Sequence, residues 1–492
     1  MLAAMPPTPP STPNQGEPRI RDRGDACPGA LRLHPADDGR LARLRLPAGL
    51  LTAGQVEVLA AAAEELGDGR ISVTSRGNAE LRGLREECGA ELGARLADAG
   101  LLPSPAHERV RNVVASPAAG LDGLGGGDVQ LWARELDALL CAREWTAALS
   151  GRFLFVLDDG RGDVAGLGGD VTLIAAGPSA VGAAFLHVGG QAFRIAEADA
   201  PRAALAAADA FLTAAREAGN GAWRVRELPE DVRPDLAEAL RRAGIAAEAA
   251  GAAEAIGGTQ GTGDAEAVGD AKVVRPTEAV RPTEAVRPTE AVRPTEAVRP
   301  TEAVRPTEAV RPTEALGIPG RSGGAGPLPG VIGQGGRDGR WAVAVAVPLG
   351  RLTSGQLRAL APAHGGELRL TPWRGAVVTG FPDRAAAEER LAVLAAHGLI
   401  TDPHSPWLGV GACTGRPGCG KALADVRADA VPGRAGLPVH FSGCERRCGH
   451  PTGPDGTWVD VVATTDGSYL VDGAPTPRTS LTEAVATART TR

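Results

Sequence analysis

The feature that most limits the folds open to this chain is an internal duplication. LRLPAGLLTAGQVEVLAAAAEELGDGRISVTSRGNAELRGL in the first half answers to VAVPLGRLTSGQLRALAPAHGGELRLTPWRGAVVTGF in the second. Pro47, Gly49, Thr52, Gly54 and Gln55 match Pro348, Gly350, Thr353, Gly355 and Gln356 at a constant offset of 301 residues. Each copy reads as strand, helix, strand. Thr52 and Thr353 suit the helix starts, because a threonine hydroxyl accepts from the free N–H groups of a first turn. Val56, Leu59, Ala60 and Ala63 keep helical spacing. Ile71 and Val73 alternate as on a strand, with Leu368 and Leu370 as counterparts. A second helix follows in each copy and stops at Gly100 or Gly398. The pattern predicts an α+β architecture of two similar half-domains, helices on one face of an antiparallel sheet. A ligand cleft is expected between the halves.

The copies are joined by a tract that cannot fold alone. VRPTEA occurs seven times from Val274 to Ala315, with a proline at every sixth position and a single valine per unit. Gly-rich flanks extend it, so residues 246–338 read as a disordered linker. The Pro-rich start, residues 1–24, reads as a disordered tail without the features of a secretory signal. The expected domains are then 25–110 and 339–405 for the half-domains, 111–245 for an α/β domain after the first, and 406–492 for an α/β domain after the second. The net charge of −7 does not favour nucleic acid. No apolar run approaches the ~20 residues of a membrane span. Seven cysteines, an odd count in a long chain, argue against a secreted disulfide framework, and a cytoplasmic protein is expected.

Four of those cysteines gather in GACTGRPGCGK and FSGCERRCGHP: Cys413 with Cys419, and Cys444 with Cys448. The spacing is C-x5-C, then C-x3-C. Structural zinc favours knuckles of two to four intervening residues, so the first pair is wide for it. An iron–sulfur cluster needs four thiolates on a glycine-rich backbone whose N–H groups can reach the sulfurs, which these loops offer. Zinc remains the alternative. Cys27, Cys88 and Cys141 have no such spacing.

C-x5-C…C-x3-C, set beside the duplication, resembles the cluster signature of the sulfite and nitrite reductase superfamily. The fold so implied is a pair of nitrite/sulfite reductase ferredoxin-like half-domains plus an α/β region bearing a [4Fe-4S] cluster. The resemblance makes Cys413, Cys419, Cys444 and Cys448 its ligands, with Cys448 nearest a tetrapyrrole. TSRGNAELRGL looks like a second family segment and offers Arg76, Asn78 and Arg82. VRNVVASPAAGLD looks like a third and offers Arg111 and Asn112. Fixed guanidinium groups suit the acetate and propionate arms of a tetrapyrrole. Where the reductases carry a K-x-K stretch, SGRFLFVLDDGRGD puts Arg152 at the first position and Leu154 at the second. An aliphatic side chain cannot stabilise or protonate sulfite.

ACPGALRLHPADDG, LDDGRGDV and CTGRPGC…KALADVRADA are similar to the precorrin-3B synthase branch of the superfamily. That resemblance implies an O2-dependent monooxygenase of cobalamin biosynthesis. It would take precorrin-3A, O2 and an electron donor derived from NAD(P)H, hydroxylate a meso carbon and close a γ-lactone. It also implies a mononuclear non-haem iron, whose ligands and any catalytic side chain are not assigned; His450 is expected to hydrogen-bond around the cluster rather than bind iron. A sirohaem-dependent reductase is the alternative, and a non-catalytic metal-binding protein the second alternative. The repeat lies outside both patterns. Deleting all seven VRPTEA units should therefore leave turnover nearly unchanged; a large loss in a soluble deletion variant would give the repeat a role beyond tethering.

Overall fold

The computed structural model describes residues 27–177, 180–251, 326–333, 339–433, 436–449 and 457–490. The expected tail, the VRPTEA repeat and His450 lie outside the described residues.

The matched residues of the duplication do the same work twice. Thr52 and Gln55 close a reciprocal capping box at the start of helix Ala53–Leu66, and Thr353 and Gln356 do so for helix Ser354–Ala359. Each glutamine then reaches on to the end of the second helix of its own half: Gln55 Nε2 donates to Ala99 O at 3.1 Å and Gln356 Nε2 to His397 O at 2.9 Å. Pro47–Gly49 and Pro348–Gly350 form equivalent turns with left-handed residues, Ala48 at φ 54° and Leu349 at φ 50°. Gly49 is required there, because a Cβ would lie 2.0 Å from Leu370 O.

Directly after these turns the halves exchange strands. Leu50–Leu51 leaves its own sheet and pairs antiparallel with Leu368–Leu370 of the second half. Arg351–Thr353 pairs with Arg70–Val73 of the first. The five-stranded sheet of each half therefore holds one strand of the other copy. A single core results, in which Leu51, Leu59, Ile71 and Leu81 pack with Val343, Leu352, Leu357 and Leu368. The halves are fused through this exchange, not merely apposed.

Two further sheets follow the halves. Strands Val113–Ala115, Phe155–Asp158 and Val171–Ala175 run parallel and continue into an antiparallel extension, giving six strands. Val410–Ala412, Val439–Ser442 and Val459–Ala463 are also parallel, in a sheet of five. The range expected to be linker is sheet at both ends: Ala247–Ala249 pairs with Gln191–Ala196, and Gly330–Ile332 with Trp341–Ala346. Backbone pairing outweighs the glycine content of the flanks there. Among the described residues, no helix is long and apolar enough to cross a membrane.

Leu352 sits in the exchanged strand with no solvent exposure. Leu352→Ala should lower unfolding free energy by about 2–5 kcal/mol, read as a shifted denaturant midpoint. A change below about 0.5 kcal/mol would mean that the exchange contributes little to stability.

Candidate functional site

The first cysteine of each pair lies just beyond the end of a parallel strand, Cys413 after Val410–Ala412 and Cys444 after Val439–Ser442. Those strands are neighbours, so parallel pairing brings the two loops together. Gly443 N donates to Cys413 Sγ at 3.2 Å, a backbone contact suited to a metal-bound thiolate. Burial, then the proximity of Cys413, Cys444 and Cys419, pushes the Cys448 thiol up. All four thiols therefore converge. Four thiols on two adjoining loops are a donor set suited to a cluster in which each thiolate binds a different iron.

The first half-domain clamps the Cys419 loop. Arg82 forks onto Asp38 with two contacts of 2.9 Å and also donates to Gly418 O at 2.7 Å, while Gly420 N donates to Asp37 at 2.5 Å. A Cβ at either Gly418 or Gly420 would come within 2.6 Å of these carboxylates. The glycines beside Cys419 are therefore demanded by the close approach of the Asp37–Asp38 turn. Arg82, expected to hold a ligand, has its guanidinium engaged by the protein itself.

The other expected ligand binders divide in the same way. Asn78 accepts from Leu46 N at 2.8 Å and donates to Asn112 Oδ1 at 3.1 Å; Asn112 donates onward to Phe153 O at 3.0 Å. Both are buried and tie the first half-domain to the six-stranded sheet. Arg111 forks onto Asp137 at 2.6 Å on both oxygens and spends a third donor on Leu101 O. Sequence alone could not show these partners, which lie on other elements. Arg76 differs. It is half-buried with no side-chain hydrogen bond among the described residues, and burial, then repulsion from Arg224, pushes it down to about 10. Arg152 is exposed, with its guanidinium carbon 4.8 Å from the centre of the Trp223 ring. Leu154 is buried among Val114, Val156 and Val164.

LDDGRGDV forms a loop held by its own carboxylates. Asp158 accepts from the N–H groups of Gly160, Gly162, Val164 and Ala165, and Arg161 grips Asp159 and Asp122. Burial, together with Asp158 and Asp159, pushes Asp163 up to about 7, against the Ser116 hydroxyl that donates to it. A half-open cavity of about 580 Å³ lies beyond the other end of these strands, between Gly168–Asp170 and the 224–234 loop. Arg224, one of its walls, is fixed by Asp170.

Comparison with known proteins bears on this arrangement. The family described as the nitrite/sulfite reductase ferredoxin-like half domain matches residues 34–99 and 332–393. Each half is thus similar to that half domain. A ferredoxin–nitrite reductase of Leptolyngbya laminosa is 41% identical over 91 residues, 18% of each chain. A precorrin-3B synthase of Sinorhizobium sp is 33% identical over 138 residues, 28% of this chain and 29% of that protein. A sulfite reductase [NADPH] hemoprotein beta-component of Xanthomonas euvesicatoria is 31% identical over 139 residues, 24% of each. These alignments span less than a third of the length of each relative. The structure of the Mycobacterium tuberculosis NirA protein shares the fold, with a TM-score of 0.58 at 19% identity over 90% of this chain and 79% of that one.

The two arginines should separate cleanly. Arg111→Ala leaves Asp137 without its buried partner and should cost about 3–5 kcal/mol of stability. Arg76→Ala should leave the denaturant midpoint near wild type, since no protein partner is lost. Equal stability losses in the two variants would show that Arg76 too is a structural residue.

Proposed function

We propose that this protein is a cluster-dependent oxidoreductase that acts on a tetrapyrrole, and specifically an O2-dependent monooxygenase converting precorrin-3A to precorrin-3B. The observation that carries the oxidoreductase reading is the convergence of Cys413, Cys419, Cys444 and Cys448 on two adjoining loops at the ends of paired strands. These four residues would hold a [4Fe-4S] cluster, which supplies electrons one at a time when bound. Support for monooxygenation over reduction comes from Leu154, whose side chain is packed in an apolar cluster where the reductases carry a second lysine. Arg76 and Arg152 are the expected ligand-binding arginines left without a carboxylate of the protein's own, and they would grip the acid arms of the substrate. Arg82, Asn78, Asn112 and Arg111 act behind them, holding the cysteine loop and the half-domain in register with the six-stranded sheet. The electron donor would be NAD(P)H-derived. In the balanced reaction one atom of O2 enters the meso hydroxyl, the other leaves as water, and the ring-A acetate closes the lactone.

A second reading, a sirohaem-dependent nitrite or sulfite reductase, draws on the 41% local identity to a nitrite reductase. Aerobic incubation with precorrin-3A and a reductant separates the two. A product one oxygen atom heavier supports monooxygenation; an intense sirohaem band with nitrite consumption and no such product supports the reductase. The cysteine assignment has its own check. Cys448→Ala, purified without oxygen, should lose iron and acid-labile sulfide, whereas Cys88→Ala should retain both. A full complement of each in the Cys448 variant would sink the assignment.

A further inference from the structure

Two arginines beside the cysteines have no carboxylate partner among the described residues, and the duplication shows that one of them is out of place. In the first half, Thr74–Asn78 is a tight turn in which Thr74 Oγ1 accepts from Asn78 N at 3.1 Å and Gly77 takes the left-handed conformation at φ 68°. The second half repeats it: Thr371 Oγ1 accepts from Gly375 N at 3.0 Å, and the left-handed residue is Arg374 at φ 57°. Glycine meets that conformation without strain, and a side chain does so only at a cost. The second half carries an arginine there regardless.

That arginine lies between the strand that leads to Cys413 and the loop that carries Cys448. Its Nη2 donates to Gly449 O at 2.5 Å, next to Cys448, and its Nη1 lies so close to Gly411, two residues before Cys413, that a Cβ there would be 2.5 Å away. His440 completes the support by contacting Cys448 O through Nε2 at 3.0 Å. Arg427, on the short helix Val426–Asp429, donates to Leu349 O at 3.2 Å while its Nε is buried without an acceptor. Burial, then Arg351 and Arg374, pushes it down to about 10, and Cys413 acts in the opposite sense. The neighbouring Arg82 and Arg351 are already matched by Asp38 and Asp68. Unmatched guanidinium groups in half-buried surroundings call for an anion.

We propose that Arg374 and Arg427 are the counter-charges of the cluster on the four cysteines and hold its reduction potential up. The inference rests on the cluster reading above. A cluster with four thiolates is negative in both oxidation states and more so when reduced, so nearby cations favour the reduced form. The test is an EPR-monitored redox titration of full-length protein purified without oxygen, with iron and sulfide measured on each sample. Arg374→Gly is the informative variant, because glycine suits the turn as it does in the first half and folding should be preserved.

Arg374→Gly and Arg427→Met should each lower the reduced-to-oxidised ratio at a fixed potential about tenfold, a fall of about 59 mV for one electron. Arg427→Lys, which keeps the charge, should stay near wild type. A fully loaded Arg374→Gly protein with the wild-type midpoint overturns the proposal. So does an unchanged midpoint combined with weakened tetrapyrrole binding, which would assign these arginines to substrate carboxylates. If Arg427→Met assembles no cluster, an Arg427→Lys protein that does assemble one supports the charge assignment; failure of both points to packing and overturns it. Wild-type protein without iron and sulfide would instead defeat the cluster reading itself.

Discussion

The exchange of short strands between the two halves is the constraint on which the rest of the molecule depends. Leu50–Leu51 and Arg351–Thr353 each complete the other half's sheet, so Leu51 and Leu352 enter one common core. Each exchanged strand follows a left-handed turn at Ala48 or Leu349, and these turns lie against Val113–Ala115 and Val410–Ala412, the first strands of the appended sheets. The first half can then reach the cysteine loops of the distant C-terminal sheet. The Asp37–Asp38 turn and Arg82 press on Gly418 and Gly420, contacts that separate modules on a loose tether could not hold in register.

Arginine is used here in two physically different ways. Arg82, Arg111 and Arg161 are forked onto Asp38, Asp137, and Asp122 with Asp159, and Arg224 is held by Asp170 and the Gly168 carbonyl. Such pairs satisfy their charge locally, and the three forks give direction through planar, two-point geometry. Arg76, Arg374 and Arg427 lack a carboxylate among the described residues, and burial pushes all three down. The first kind builds the frame, and the second faces the places where an anionic group is proposed. Electrostatic need, more than residue type, distinguishes them.

The sequence carried the fold at the level of repeating units. Five matched residues at one offset announce two copies, and their roles in capping boxes and turns follow from local backbone chemistry alone. The cysteine loops were legible for the same reason: spacing and glycine content are local properties. The boundaries of the linker were less so, since the strands Ala247–Ala249 and Gly330–Ile332 exist only because a partner strand lies alongside. Arg374 and Arg427 escaped notice although TPWRG stands opposite TSRG in the duplication. The signal was there, but an arginine at a glycine's place has meaning only once the backbone angle is known.

By itself the sequence determined what forms within a dozen or so residues: helices with their caps, tight turns, cysteine pairs and the duplicated order of elements. Those outcomes rest on hydrogen bonds and dihedral preferences between near neighbours. Only the tertiary structure decided which half each short strand joins, and which arginines keep their charge free. Both depend on partners far along the chain, Leu368–Leu370 for Leu50–Leu51 and Asp137 for Arg111. A guanidinium reads the same in sequence whether a carboxylate stands before it or not; burial and the position of that carboxylate settle its role.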